Sequence, residues 1–84
     1  MKIDIPIGGH AWKRMEERGI SETDVEAVVF NHTASWEDPK NGSRVLTGET
    51  PDGRVLRIAL VDPPALDGTV IVKSVFEVNQ EDSV

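Results

Sequence analysis

Apolar residues recur at helical spacing in the first third of the chain. In residues 10–18 they are Ala11, Trp12 and Met15, which fall on one side of a helix. Gly19 comes next, and a glycine at this place is typical of the left-handed residue that ends a helix. The pattern therefore predicts a first helix over residues 10–18, with its apolar side packed on the rest of the domain.

A second helix is predicted directly after this glycine. Ser21 is a favourable N-cap, and Asp24 stands three residues later, as in a variant of the capping box. Asn31 is a natural stop for this helix. The residues expected on its buried side are three valines, Val25, Val28 and Val29.

Alternating apolar and polar residues after position 31 predict a sheet. Polar turn signals separate the alternating runs, and the segment PDGR is the strongest of them, because proline presets φ and glycine adopts positive φ. Four strands are expected, over residues 34–38, 44–50, 54–61 and 69–78. In the last of them, simple alternation assigns Val72, Ser74 and Phe76 to one face and Lys73 and Val75 to the other.

The two ends of the chain carry weaker patterns. Residues 2–5 are β-prone and precede Pro6, so they are either an edge strand or a plain N-terminal arm. Residues 79–84 are acidic and are expected to fray. All 84 residues are predicted to form one α+β domain, in which two N-terminal helices pack on one face of a three- to four-stranded antiparallel sheet.

Composition narrows the classes of function. The chain has no cysteine, which excludes disulfides and thiolate metal sites and fits a cytoplasmic protein. No apolar run approaches the roughly 18 residues that a membrane-spanning helix needs, so no contact with a membrane is expected. The formal net charge is -6, which argues against a general nucleic-acid binder but leaves room for a local basic site.

The first helix carries such a local site. His10, Arg14 and Arg18 are four residues apart and form one stripe on the helix, where two guanidiniums beside an imidazole suit an anion or phosphate. The plainer alternatives are that the His10 ring bonds to backbone, that Arg14 pairs with a glutamate, and that Arg18 bonds the carbonyl groups at the helix end.

Two further basic residues project from the predicted strands. Arg57 and Lys73 stand near the centres of neighbouring strands, and on a shared open face they would form a second phosphate site. The alternative for each is a cross-strand pair with Glu49 or Glu77. Arg54, at the end of the hairpin turn, is expected at the surface. No metal or other cofactor is predicted, because the two histidines and the scattered carboxylates have no metal-ligand spacing.

The motif HAxxRMxERGIS, followed by DV and later by PDGR, resembles a family of small bacterial domains of unknown function. That family is similar in organisation to the RelE, BrnT and barnase-like ribonuclease toxins. The resemblance runs from about His10 to Phe76. It implies a RelE-like fold, metal-independent cleavage of RNA by acid/base chemistry, and an antitoxin as partner.

In this resemblance His10, Arg14 and Arg18 match the family's leading histidine and its two positions in the first helix. Arg57 and Lys73 are candidates from their places in the predicted strands. His10 would be the acid or base, with Arg14 and Arg57 at the scissile phosphate. Substrate contacts would come from Arg18, Lys73 and Ser74. In the last strand the family often has a threonine and, two residues later, a tyrosine, and this chain has Ser74 and Phe76 there.

A second hypothesis is a non-catalytic protein-interaction domain of the same fold. The absence of tyrosine and the net charge of -6 favour it, whereas the histidine and arginine stripe favours the ribonuclease. A homodimer formed through an exposed strand edge or a tryptophan face is compatible with either hypothesis.

Overall fold

A computed structural model describes residues 2–62 and 65–78. Within them the chain forms two helices and one five-stranded mixed sheet of order β1-β5-β4-β3-β2. The acidic tail predicted to fray, residues 79–84, lies outside the described residues. In chain order the elements are β1 (Ile3–Asp4), α1 (His10–Arg18), α2 (Glu22–Asn31), β2 (Ala34–Glu37), β3 (Arg44–Glu49), β4 (Val55–Leu60) and β5 (Val70–Val78).

The α+β class is confirmed, but the sheet differs from the prediction in one strand. Strands β2 to β5 form the expected antiparallel meander. β1 joins the edge of β5 in parallel, with Ile3 opposite Val70, and the Val70 amide donates to the Lys2 carbonyl at 2.7 Å. The sheet is therefore mixed, and the N-terminal segment is an edge strand and not a free arm.

Local sequence signals set the helix ends. Gly19 ends α1 in the left-handed conformation at φ 65°, and the Ile20 amide donates back to the Met15 carbonyl at 2.9 Å. Ser21 and Asp24 form the predicted reciprocal capping box, with hydrogen bonds of 3.0 and 3.1 Å. These contacts fix the sharp corner between the helices, so both helices return to the same side of the sheet.

The core lies between the two helices and one face of the sheet. α1 packs on β5, and α2 packs on β3 and β4. The three valines predicted for the buried side of α2 are indeed buried. The opposite side of the sheet carries no helix in the described part of the chain, and we call it the open face. The fully buried side chains are Val25, Val28, Leu56, Ile58, Val72 and Val75.

A β-bulge in β5 overturns the predicted face assignment of that strand. Ala59 pairs with Ser74, but its neighbour Leu60 pairs with Val72, so Lys73 is an extra residue. As a result Val72 and Val75 both face the core, although they are three residues apart. Ser74 is no longer on the face of Val72 and lies on the open face, and Phe76 follows it there.

Arg54 connects the β3–β4 hairpin to the end of α1. Its guanidinium donates to the carbonyls of Arg18 at 2.8 Å and Gly19 at 3.1 Å, and to the Glu77 carboxylate at 2.7 Å. The bond to Glu77 raises the pKa of Arg54 above its ordinary value. Two expectations are corrected here. Arg54 is half-buried and not simply at the surface, and it satisfies the helix-end carbonyls that the side chain of Arg18 was expected to bind.

Gly48 allows the end of α2 to approach β3 closely. A Cβ atom added at Gly48 would lie 3.1 Å from the Cα of His32 and 3.4 Å from Cγ1 of Val28. The nearest of these atoms is backbone, so it cannot move aside by a rotamer change. The missing side chain therefore sets the distance between helix and sheet.

We expect Gly48→Ala to destabilise the protein by about 1–3 kcal/mol, the usual range for overpacking a core. The sign of this change in free energy is informative. Alanine has a lower conformational entropy than glycine in the unfolded chain and a better strand propensity, and both effects would stabilise the variant. Urea unfolding monitored by circular dichroism gives the free energy of unfolding. A variant as stable as the wild type would mean that α2 does not lie this close to β3.

We also expect Arg54→Ala to lower the free energy of unfolding by about 1–2 kcal/mol, because charge-assisted hydrogen bonds to two carbonyls and a carboxylate are lost. Arg54→Lys should recover only part of this, since an ammonium lacks the planar fork. The matched control is Arg44→Ala. Arg44 makes a long, partly exposed ion pair with Asp62 at 3.9 Å, so its removal should change stability by less than about 0.5 kcal/mol. Equal losses in Arg54→Ala and Arg44→Ala would contradict the proposed connection.

Candidate functional site

The open face contains a concavity of about 360 Å³. Its shape follows from the strand register. One cross-strand row joins Trp36, Val45, Ala59 and Ser74, and the small side chains at its centre leave space between the larger ones. Residues with polar or aromatic groups that line the concavity are Trp36, Asp38, Asn41, Arg57, Ser74 and Phe76.

Arg57 lies beside this row, at the centre of the open face. Alternation along β4 directs Leu56 and Ile58 into the core and Arg57 outward. Its guanidinium carbon lies 5.4 Å from the centroid of the Trp36 ring, within the range of a cation–π contact. The alternative partner Glu77 is bound by Arg54 instead. The charge of Arg57 is therefore held against an aromatic ring, where it can still meet an anion.

Arg14 brings α1 to the same surface. Its guanidinium carbon lies 5.7 Å from the centroid of the Phe76 ring. Phe76 stands directly opposite Arg57 in the β4–β5 register, and it also lines the concavity. The helix stripe and the open face thus meet at one exposed phenylalanine. The bulge at Lys73 is what turns this ring outward.

His10 is not among the described residues that line the concavity. It is exposed at the first residue of α1 and lines a shallow groove of about 170 Å³ with Lys13, Arg14 and Glu17. His10 and Arg57 therefore line different depressions. Arg14 is the residue that borders the His10 groove and also contacts Phe76.

The structure places the remaining predicted site residues, Ser74, Lys73 and Arg18, in three different places. Ser74 lines the concavity. Lys73, the bulge residue, donates from Nζ to the buried Ser43 hydroxyl at 2.7 Å and lines another groove with His10. The carbonyl of Arg18 is bonded to Arg54, and its side chain is exposed at the far end of α1. Of the residues that the structure describes, those lining the concavity with Arg57 do not include Lys73, so the predicted positive patch of Arg57 and Lys73 does not form in that depression.

The site residues predicted from the sequence include none from the β2 region, although Trp36 was a candidate for stacking on bases. Trp36, Asp38 and Asn41 come from an edge strand and its turn, where every residue of β2 is exposed. Only the register of β2 on β3, with Trp36 opposite Val45, brings them beside Arg57. The available signal was the single tryptophan in an otherwise polar strand.

Carboxyl groups with altered pKa values lie in turns and not in this site. The Thr50 hydroxyl lowers the pKa of Asp52 in the PDGR turn, and the Thr69 hydroxyl lowers that of Asp67. His32 donates from Nδ1 to the Val29 carbonyl at 2.9 Å, so its ring is bonded to the end of α2. Across the described residues, no group of three or more potential metal ligands converges. Within that same part of the chain, no helix has both the length and the apolar character to cross a membrane.

Comparison with known proteins gives one result. A family model described as Domain of unknown function (DUF4258) matches residues 7–77. The match covers both helices, strands β2 to β4 and nearly all of β5. Searches of curated proteins and of solved structures found no match.

The variant Phe76→Leu tests whether Arg14 of α1 contacts Phe76 on the open face. Removing the ring should shift the side-chain proton resonances of Arg14 towards their unperturbed positions, because the ring current of Phe76 is lost. The resonances of Arg57 should move less, since Trp36 remains. Trp36→Leu is the matched control and should give the opposite pattern. Because both rings are partly exposed, at 44% and 38%, stability should fall by no more than about 1 kcal/mol in either variant.

Proposed function

The chain belongs to the DUF4258 family, whose description states no activity, and from the geometry above we propose that it is a RelE-like toxin, a metal-independent endoribonuclease acting on single-stranded RNA. One observation carries the proposal. Two arginine–aromatic contacts, Arg14 with Phe76 and Arg57 with Trp36, form a continuous surface from the His10 end of α1 to the centre of the open face.

Such a surface suits unpaired RNA. Exposed aromatic rings and guanidinium planes stack on bases that are free of a duplex, and the same guanidiniums bind phosphate oxygens. A concavity of about 360 Å³ between Trp36 and Phe76 leaves room for a base to enter. Asp38, Asn41 and Ser74 line it and offer hydrogen-bonding groups for the edge of the base.

His10 would supply the acid/base step. The 2′-oxygen of RNA attacks the adjacent phosphorus, the bond to the 5′-oxygen breaks, and a cyclic phosphate and a free 5′-hydroxyl result. His10 either accepts the proton of the 2′-hydroxyl or donates one to the leaving oxygen, and water performs the other transfer. Arg14, one helical turn away, would stabilise the negative charge that builds on the phosphate oxygens.

The net charge of -6 limits how this surface binds RNA. Two arginines that neutralise two phosphates predict a slope of about -1.4 in a plot of log affinity against log salt, which is shallow for a nucleic-acid binder. Stacking on Trp36 and Phe76 must then supply much of the affinity. The proposal is thus for short, unpaired RNA and excludes tight binding to duplexes.

A second candidate function is a non-catalytic protein-interaction domain. Tryptophan and arginine dominate the energetics of protein interfaces, and Trp36 with Arg57 at the centre of the open face is such a pair. The phenyl ring of Phe76, which has no hydroxyl group, also fits a binding role better than a catalytic one. In this reading the open face would bind an antitoxin or another protein, or a second copy of the chain.

Short single-stranded RNA distinguishes the two candidates. Fluorescence anisotropy with a labelled oligonucleotide should show binding that Arg57→Ala weakens by roughly 5- to 150-fold, since a stacking contact is worth about 1–3 kcal/mol. Arg44→Ala is the control with the same change of charge, and it should weaken binding less than twofold. His10→Ala should retain binding but lose at least about 100-fold in cleavage rate, the lower end for acid/base catalysis.

The same variants can be induced in a bacterial host, with growth and total RNA followed at equal protein levels. Growth arrest and RNA cleavage by the wild type, abolished in His10→Ala, support the ribonuclease. RNA binding that Arg57→Ala and Arg44→Ala weaken equally, together with intact RNA after induction, would exclude it and leave the interaction domain.

A further inference from the structure

A second, chemically different depression lies at the corner between α1 and α2. Its volume is about 180 Å³. Met15 and Ile20 form its apolar floor and are only 3% and 5% exposed, and the half-buried ring of Trp12 forms one wall. Two exposed carboxylates, Glu16 and Glu22, stand at its edge. We call this depression the corner groove.

Two carboxylates, Glu16 and Glu22, line the corner groove, and no basic side chain is among the described residues that line it. The Arg54 guanidinium at this corner is bonded to two carbonyls at the end of α1 and to Glu77. Glu22 and Asp24 lie in the first turn of α2. The concavity of the open face differs, because a basic residue, Arg57, lines it together with Asp38. The carboxylates of Glu16 and Glu22 attract cationic groups to the edge of the groove.

We propose that the corner groove binds a protein partner through one apolar side chain flanked by lysine or arginine residues. The size of the groove supports a single anchoring side chain, because it is smaller than the roughly 300–1,000 Å³ typical of pockets for small molecules. Glu16 and Glu22 pair with the flanking cations, while Trp12, Met15 and Ile20 contact the anchor. A partly exposed tryptophan beside a buried floor is a common centre of binding energy.

This inference does not depend on the proposed ribonuclease. The corner groove lies in the helix layer, whereas Trp36, Arg57 and Phe76 lie on the other side of the sheet. A partner seated at the corner groove leaves the open face accessible. The domain can therefore hold a basic protein segment and act on a separate ligand at the same time.

Intrinsic fluorescence reports on the corner groove directly. The chain has two tryptophans, so Trp36→Phe leaves Trp12 as the sole emitter. The probe is the synthetic peptide GKRLRKG, and the control peptide GKRSRKG keeps every charge but lacks the apolar anchor. Titration of the Trp36→Phe protein with the first peptide should shift the Trp12 emission to shorter wavelength in a saturable manner. The serine peptide should bind at least tenfold more weakly.

Matched charge variants separate the corner groove from net charge. In the Trp36→Phe background, Glu16→Lys with Glu22→Lys and Glu37→Lys with Glu49→Lys both raise the net charge from -6 to -2, since each replacement adds two positive charges. The first pair should weaken binding of GKRLRKG at least tenfold, and the second pair less than threefold. Thermal melts by circular dichroism establish that both variants are folded.

Two outcomes would overturn the proposal. Equal loss of binding in the two charge variants would mean attraction by net charge alone, and equal affinity for the leucine and serine peptides would mean that no apolar anchor enters the groove. The experiment contains no RNA, so its result is independent of the test of the open face.

Discussion

The arrangement of this domain depends on the interaction of the Arg54 guanidinium with the end of α1. Helix α1 buries Ala11 and Met15 and packs on β5. Arg54 adds polar contacts at the end of this helix by bonding two of its carbonyls and the Glu77 carboxylate of β5 at once. Arg54 thus connects the β3–β4 hairpin, helix α1 and strand β5. Arg14 of α1 contacts Phe76 of β5 within this arrangement.

Local signals predicted the parts of the fold that short-range physics determines. Gly19 and the Ser21–Asp24 box act within one turn of chain, so both helix ends were predictable. The parallel pairing of β1, the bonds of Arg54 and the bulge at Lys73 join segments far apart in sequence. No periodicity encodes such contacts, so the bonds of Arg54 and the bulge were not predicted, and residues 2–5 were left open between an edge strand and an N-terminal arm.

The candidate site was likewise predictable where local patterns decide it and not where contacts between distant segments do. Helical spacing placed His10 and Arg14 on one stripe, and strand alternation directed Arg57 away from the core. Recruitment of Trp36 depended on strand register, and the outward turn of Phe76 depended on the bulge. Arg18 shared the helical spacing of the stripe, yet it lies at the opposite end of α1 from His10. Periodicity therefore identified candidate residues, but only tertiary contacts decided which of them share a surface.

The bulge has a consequence for comparing this chain with its relatives. From Lys73 onward, the inward and outward positions of β5 are out of phase with those before it. A relative that lacks the extra residue keeps the same core only if its two buried residues are two apart and not three. Position-by-position alignment across this strand would then match a core valine with a surface residue. Homology arguments about the residue equivalent to Phe76 must therefore follow the hydrogen-bond register and not the residue count.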